Sequence, residues 1–303
     1  MSETPAAGSR EGGAKPEAGV KSEGGVKSEG GVKKEERRTK SIDLTIEIDA
    51  PPDAVWEAIS SAEQLQRWFP LNAEIEPGEG GTVTIDWGPD VRGTGDIDVW
   101  EEGRRLRYVE RPWGPADGTA GGEPVRVAVE YSIEGRGGTT VLRMVNSGFS
   151  AGADWEEFLD TIDSGWRYFL YNLKHYLERH RGTPRRMVWD RRKIALPKAD
   201  AWPVLFGPGG IAELELPASE GAGARLWSGE EASIVMAAPP IHLACRCPAL
   251  EDALLFVELE PGAPPYSVGV WLSLYGVAEG RAEALEASLK ERMERLCATA
   301  SSA

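Results

Sequence analysis

Histidine and cysteine are scarce in this 303-residue chain, with three of each. Three cysteines are too few for a disulfide scaffold, and their spacing is not that of a zinc site. Cys245 and Cys247 fall on one face of an expected strand and His242 on the other, while Cys297 sits in a distant helical pattern. The thiols therefore read as small buried hydrophobes, and no metal site is expected. No apolar run approaches the roughly 18 residues needed to span a bilayer, and the start MSETPAAGSREGG has no apolar core of signal-peptide type. The expectation is a cytoplasmic protein without a membrane partner. P-loop, HExxH and dinucleotide fingerprints are missing as well, since GEGG (78–81) and GPGG (207–210) have the wrong spacing. No cofactor is expected.

After Met1, no apolar side chain larger than valine or proline occurs in the first forty residues. GVKSEG (19–24), GVKSEG (25–30) and GVKKEE (31–36) repeat, with GAKPEA (13–18) as a weaker copy. Nothing apolar in these units exceeds valine in size, so no apolar face offsets the entropy of ordering the chain. Residues 1–40 are expected to be a disordered Gly/Lys/Glu tail. The tail holds nine Lys or Arg against seven Glu, which leaves 25 basic against 42 acidic residues beyond it. That acidic surplus repels phosphate backbones and anionic lipid, so no nucleic-acid partner is expected.

What is present beyond residue 40 is alternation. SIDLTIEIDA (41–50) places Ile42, Leu44, Ile46 and Ile48 on one face, and PPDAVWEAISSAEQLQRWF follows with helical spacing. Alternating segments at 82–88, 94–100, 104–110, 125–133 and 139–145, separated by Gly and Pro, predict one curled antiparallel sheet. Residues 153–180 then predict a long helix, with Asp154 and Glu157 near its start in capping-box spacing. Its wide apolar face carries Trp155, Phe158, Leu159, Ile162, Trp166, Phe169, Leu170, Leu173, Tyr176 and Leu177. Gly182 and Pro184 end it. A shorter echo follows: KIAL (193–196) echoing the strand IEID, a short helix near 200–207, strands at 232–237, 241–247, 253–260 and 266–275, and a last helix over 279–298 striped by Ala282, Leu285, Leu289, Met293 and Leu296.

Individual chemical signals are weak. GFSAG (148–152) matches the nucleophile elbow, but its strand belongs to an antiparallel set, and His175 lies about 30 Å along the helix from Asp154. Asp96 and Asp98 share a strand face, yet Ile97 and Val99 are the better inward pair. No catalytic residue is assigned. The aromatic inventory says more: Trp68, Phe69, Trp87, Trp100, Tyr108, Trp113 and Tyr131, with Phe158, Ile162, Trp166 and Phe169 of the helix, are candidate lining for a ligand cavity. Tyr168, Tyr171 and His175 form a second stripe on the opposite side of the helix, expected to pack against the second half. The insertion at 112–124 is longer than a hairpin needs and is a candidate cavity lip.

The order strand, helices, sheet, long helix resembles the helix-grip fold of the START-like (SRPBCC) superfamily. Its bacterial branch similar to the C-terminal domain of the activator of Hsp90 ATPase is resembled through IDAPPDAVWEAIS (48–60), LQRWFP (65–70), AEIEPGEGGTVTID (73–86), VEYSIEGRGGTTVLRMVNSGF (129–149) and GWRYFLYNLKHYLE (165–178). The resemblance implies an α+β fold in which a curved antiparallel sheet wraps a long C-terminal helix over 41–183, followed by a shorter, degenerate second copy over 188–303. It implies several functions: a non-enzymatic holder of a small hydrophobic or aromatic ligand, which leads; a co-chaperone-like regulator of a chaperone; or a cyclase or hydratase.

Overall fold

A computed structural model describes residues 39–89, 91–111, 126–150, 156–262 and 264–301. Residues 1–38 of the tail and the 112–124 insertion, with Trp113, lie outside the described residues, as do Asp154, Trp155 and the end of GFSAG. Thr39 and Lys40, expected in the disordered tail, instead begin the first strand, where they pair with Ser150 and Phe149. The first half opens with β1 (Thr39–Ile48), α1 (Pro52–Ser60) and the single-turn α2 (Ala62–Leu65). Five strands expected from the pattern follow the short β2 (Asn72–Ile75): β3 (Thr82–Asp86), β4 (Arg92–Glu101), β5 (Arg105–Glu110), β6 (Ala128–Arg136) and β7 (Thr139–Ser150). They form one antiparallel seven-stranded sheet in the order β1-β7-β6-β5-β4-β3-β2. The long helix α3 (Glu156–Arg179) packs its Leu159, Trp166, Leu170, Leu173, Tyr176 and Leu177 into the core that this sheet encloses.

The second half repeats the plan. It runs β8 (Arg185–Ile194), α4 (Lys198–Phe206), β9 (Ala212–Leu214), β10 (Gly223–Leu226), β11 (Glu231–Ala238), β12 (His242–Cys247), β13 (Ala253–Leu259), β14 (Tyr266–Tyr275) and α5 (Glu279–Ser301). Its sheet also has seven strands, ordered β8-β14-β13-β12-β11-β10-β9, so the copy is shorter by a helix and by its loops but not by strands. The strand expected at KIAL (193–196) overlaps the end of β8, whose earlier part RRMVWDRR is too charged to look like a sheet member, and the pattern missed the brief β9 and β10.

Parity explains the rest. Along β12, Leu243, Cys245 and Cys247 face the core under α5, and His242 and Ala244 face the other way. In β13 and β14 nearly every side chain is buried on both faces. A strand covered on both sides reads as a continuous apolar run rather than an alternating one, which is the pattern of ALLFVEL and YSVGVWLSLY. One cover is α5, through Ala282, Leu285, Leu289 and Met293. The other is α3 of the first half, through a bridging cluster of Tyr168, Ala244, Phe256 and Trp271.

Candidate functional site

Helix α3 is gripped from two sides, and this places the site. Tyr168 stacks on Phe256 with ring centroids 3.9 Å apart and planes 5° from parallel. Tyr171 lines a polar recess together with Ser233, Val235 and Arg246 of the second sheet. His175 Nε2 lies 2.8 Å from the backbone oxygen of Asp252, on a turn where Glu251 and Asp252 both adopt left-handed backbone (φ 54° and 59°). Asp252 also pairs with Arg179 of α3 at 3.0 Å and with Arg246 at 3.1 Å. The stripe Tyr168, Tyr171, His175 therefore lies at the seam. Polar bonds reinforce it: Tyr275 Oη donates to the Arg67 carbonyl at 2.6 Å, and the Arg185 guanidinium donates to the carbonyls of Phe69 and Pro70.

Within this seam lies a cleft of about 270 Å³. One wall comes from the first half: Phe69, Trp87, and Phe158, Ile162, Gly165, Trp166 and Phe169 of α3. The facing wall comes from the second: Arg185, Met187 and Arg191 of β8, His242 of β12, Phe256 and Glu258 of β13, and Trp271 of β14. The rings interlock. Phe69 is 5.3 Å from Trp87 and from Trp166 and 4.8 Å from Phe169, and Trp87 reaches Trp271 edge-on at 5.6 Å.

Of the expected lining residues, Phe69, Trp87, Phe158, Ile162, Trp166 and Phe169 come together here. Trp68, Trp100, Tyr108 and Tyr131 do not. Trp68 is fully buried and donates its indole N–H to the Ala58 carbonyl at 2.9 Å, locking α1 to the loop after α2. Trp100 is turned by a bulge between Ile97 and Val99, which pairs it with Leu106 and sets it edge-on to Trp56 at 5.2 Å. Tyr108 and Tyr131 fill the first core and bond to each other, and burial raises both hydroxyls above their ordinary range. Asp96 and Asp98 are exposed and pair with Arg111 and Arg107. The cleft also extends beyond where the pattern put it: Glu110 of β5 and Asn146 of β7 line it from the first sheet, but its facing wall is the second sheet. The reason is that the first sheet's concave face is already filled by those large rings.

The pattern singled out none of the polar groups of the cleft, apart from His242 as a metal candidate. His242 is 1% exposed and its Nδ1 is hydrogen-bonded to Ser164 Oγ of α3. Its Nε2 has no hydrogen-bond partner and lies 4.0 Å from Glu258 Oε2. Burial, with Lys198 adding repulsion, lowers this imidazole to about 3, so it is neutral. Glu258 accepts the Trp271 indole N–H at 2.9 Å. Burial pushes its carboxyl up to about 7, with Glu260 adding to the rise and Arg191 and the Trp271 bond opposing it. Gly269 makes room for this arrangement: a Cβ there would stand 2.6 Å from Trp271 Nε1 and 2.9 Å from Glu258 Oε1. Arg191 lies over the Trp271 ring at 5.1 Å and pairs with Glu260 at 3.0 Å. The signal available was Glu258 itself, a carboxylate inside the apolar run ALLFVEL.

Residues 49–178 match the family model described as activator of Hsp90 ATPase homolog 1-like protein. With its curled antiparallel sheet around a long helix, the first half is similar to START-like domains. No curated protein matches the chain. Similar solved structures include CalU16 from Micromonospora echinospora, 26% identical over 46% of this chain and 76% of that one, with a TM-score of 0.37. The Aha1 dimer from Colwellia psychrerythraea is 18% identical over 46% of this chain and 96% of that one, at 0.38. The di-domain ARO/CYC protein BexL is 16% identical over 86% of this chain and 97% of that one, at 0.41. The cleft residues of β8, β12, β13 and β14 all lie outside the stretch matched by the family model. Among the described residues no helix is long and apolar enough to cross a membrane.

Proposed function

We propose that the protein binds a small apolar or aromatic molecule in the cleft between α3 and the second sheet. The observation that carries this is the cleft itself, about 270 Å³ walled by interlocking rings and provided with a few inward polar groups. Sites for small molecules combine a concave apolar wall with a few placed polar atoms, and this volume lies just below their usual range of about 300–1,000 Å³, which suits a small ligand. On this reading, residues 41–183 and 188–303 act as tandem domains that each supply one wall. Ligand bound only by the folded chain raises its stability by linkage. The test is a thermal-shift series with small aromatics, paired with native mass spectrometry of freshly purified protein. A retained small molecule, or a concentration-dependent rise in Tm, supports the reading. No retained molecule and no shift with any of the aromatics overturns it.

The match over 49–178 favours a second reading, regulation of an Hsp90-type ATPase by protein contact. Stimulation of a bacterial Hsp90 ATPase by the ligand-free protein, with no thermal shift by aromatics, would put it first.

A further inference from the structure

His242 and Glu258 both line the cleft, with a gap between them. The distance from Nε2 to Oε2 is 4.0 Å, too long for a direct hydrogen bond, and Nε2 is buried without a partner. An orphaned buried nitrogen is costly, so a site that keeps one is explained by a group that arrives to satisfy it. The surroundings fix both members. Ser164 Oγ holds the imidazole through Nδ1, the Trp271 indole holds the carboxyl through Oε1, and Gly269 leaves the space that the second bond needs. What remains free is one lone atom on each residue, 4.0 Å apart. A single oxygen can lie at about 2.8 Å from both, near the usual O–H···O and N–H···O separations.

Resting on the ligand reading above, we infer that this His242–Glu258 gap is a hydroxyl-binding subsite, and that the ligand is an aromatic molecule carrying a phenol-type hydroxyl. The choice of hydroxyl over carbonyl follows from proton bookkeeping. If Glu258 is protonated, it donates to the ligand oxygen, and Nε2, with its lone pair, accepts the ligand's proton. If Glu258 is ionised, it accepts the ligand's proton, and Nε2–H donates. A hydroxyl is donor and acceptor at once and fits both arrangements; a carbonyl, which only accepts, requires both residues to donate. The apolar body lies against Phe169, Trp166 and Trp271, which line the same cleft.

The probes are 2-naphthol and 2-methylnaphthalene, nearly equal in size and differing in the hydroxyl. Titration calorimetry on the full chain is expected to show 2-naphthol bound about tenfold or more tighter, the usual order for one buried hydrogen-bonded group. In His242→Leu and in Glu258→Met, which keep the apolar wall, that preference should fall to near one while 2-methylnaphthalene still binds. Equal affinity of the two probes for the unmodified protein overturns the hydroxyl subsite and leaves the ligand reading standing. A preference that survives both substitutions also overturns it. Absence of binding by either probe overturns the ligand reading and the subsite with it.

Discussion

Replacing Glu258 by Gln should stabilise the protein at alkaline pH and leave it unchanged in acid. The carboxyl sits among Trp271, Arg191, Glu260 and His242, and its value rises from an ordinary 4.5 to about 7. A raised carboxyl value means that the folded state resists ionisation more than the unfolded chain does. Below pH 4.5 the group is protonated in both states and costs nothing. Between 4.5 and 7 the unfolded chain releases its proton first, and stability falls as pH rises; above 7 the loss is complete. The interval of about 2.5 pH units, at about 1.4 kcal/mol each, sets a ceiling near 3 kcal/mol. The side chain keeps 21% exposure, so water takes part of this away. The substituted amide would be neutral at every pH while still accepting the Trp271 indole proton, so E258Q should gain about 2 kcal/mol at pH 8 and nothing at pH 4. The buried histidines slope the other way. His175 and His242 fall from 6.5 to about 4 and about 3, so their contribution is intact above 6.5 and is lost as pH falls below it. They are common to both proteins and largely cancel in the difference. Urea unfolding of both proteins from pH 4 to pH 8 measures that difference directly. A flat difference, or one that grows toward acid, would refute the account of Glu258 as a buried, reluctant carboxylate.

Phe256→Ala removes the ring beneath Tyr168 and should cost about 3–5 kcal/mol in the same unfolding assay, the usual range for a buried aromatic. Gly165→Ala should gain about 0.5–1 kcal/mol, since the residue is mid-helix and a Cβ there meets only His242 Cε1 at 3.8 Å and Phe169 Cε2 at 4.0 Å, both ordinary contacts. Because Gly165 lines the cleft, that same variant should bind small aromatics more weakly in calorimetry. Burial pushes the Cys245 thiol up to about 12, so in native protein at pH 8 it should resist a disulfide reagent that modifies it promptly in urea.

The two ends of legibility both lie in GWRYFLYNLKHYLE. Its two stripes could be separated by helical period alone, because Trp166, Leu170 and Leu173 recur at spacings of three and four residues. Two steps of about 100° carry the chain from Trp166 to Tyr168, which leaves the two side chains about 160° apart around the axis. That arithmetic separates Trp166, which the structure holds in the first core, from Tyr168, which it stacks on Phe256. What period could not supply was the identity of the partner. Parity within a strand is legible only when one face is wet; in ALLFVEL and YSVGVWLSLY both faces are dry, and the alternation that would mark the cleft wall vanishes. Bulges defeat parity in another way, as at Ile97/Val99, where one extra residue moves Trp100 to the opposite face.

The loss of alternation is itself informative. A helix apolar on two sides must be covered on two sides, and a strand apolar on both faces must likewise have two covers. Helix α3 and the β13–β14 pair each have one cover in their own half, the first sheet and α5 respectively. Each still presents a second apolar face, and each is the other's remaining cover. That mutual need holds the halves together, and it also creates the cleft. Two surfaces built of large rings and held by Tyr168 on Phe256 at one point and by the Asp252 turn at another do not close everywhere. Where they part, His242 and Glu258 of the second half face Trp166 and Phe169 of the first. The site thus belongs to neither copy of the fold, which is why no motif of either one announces it.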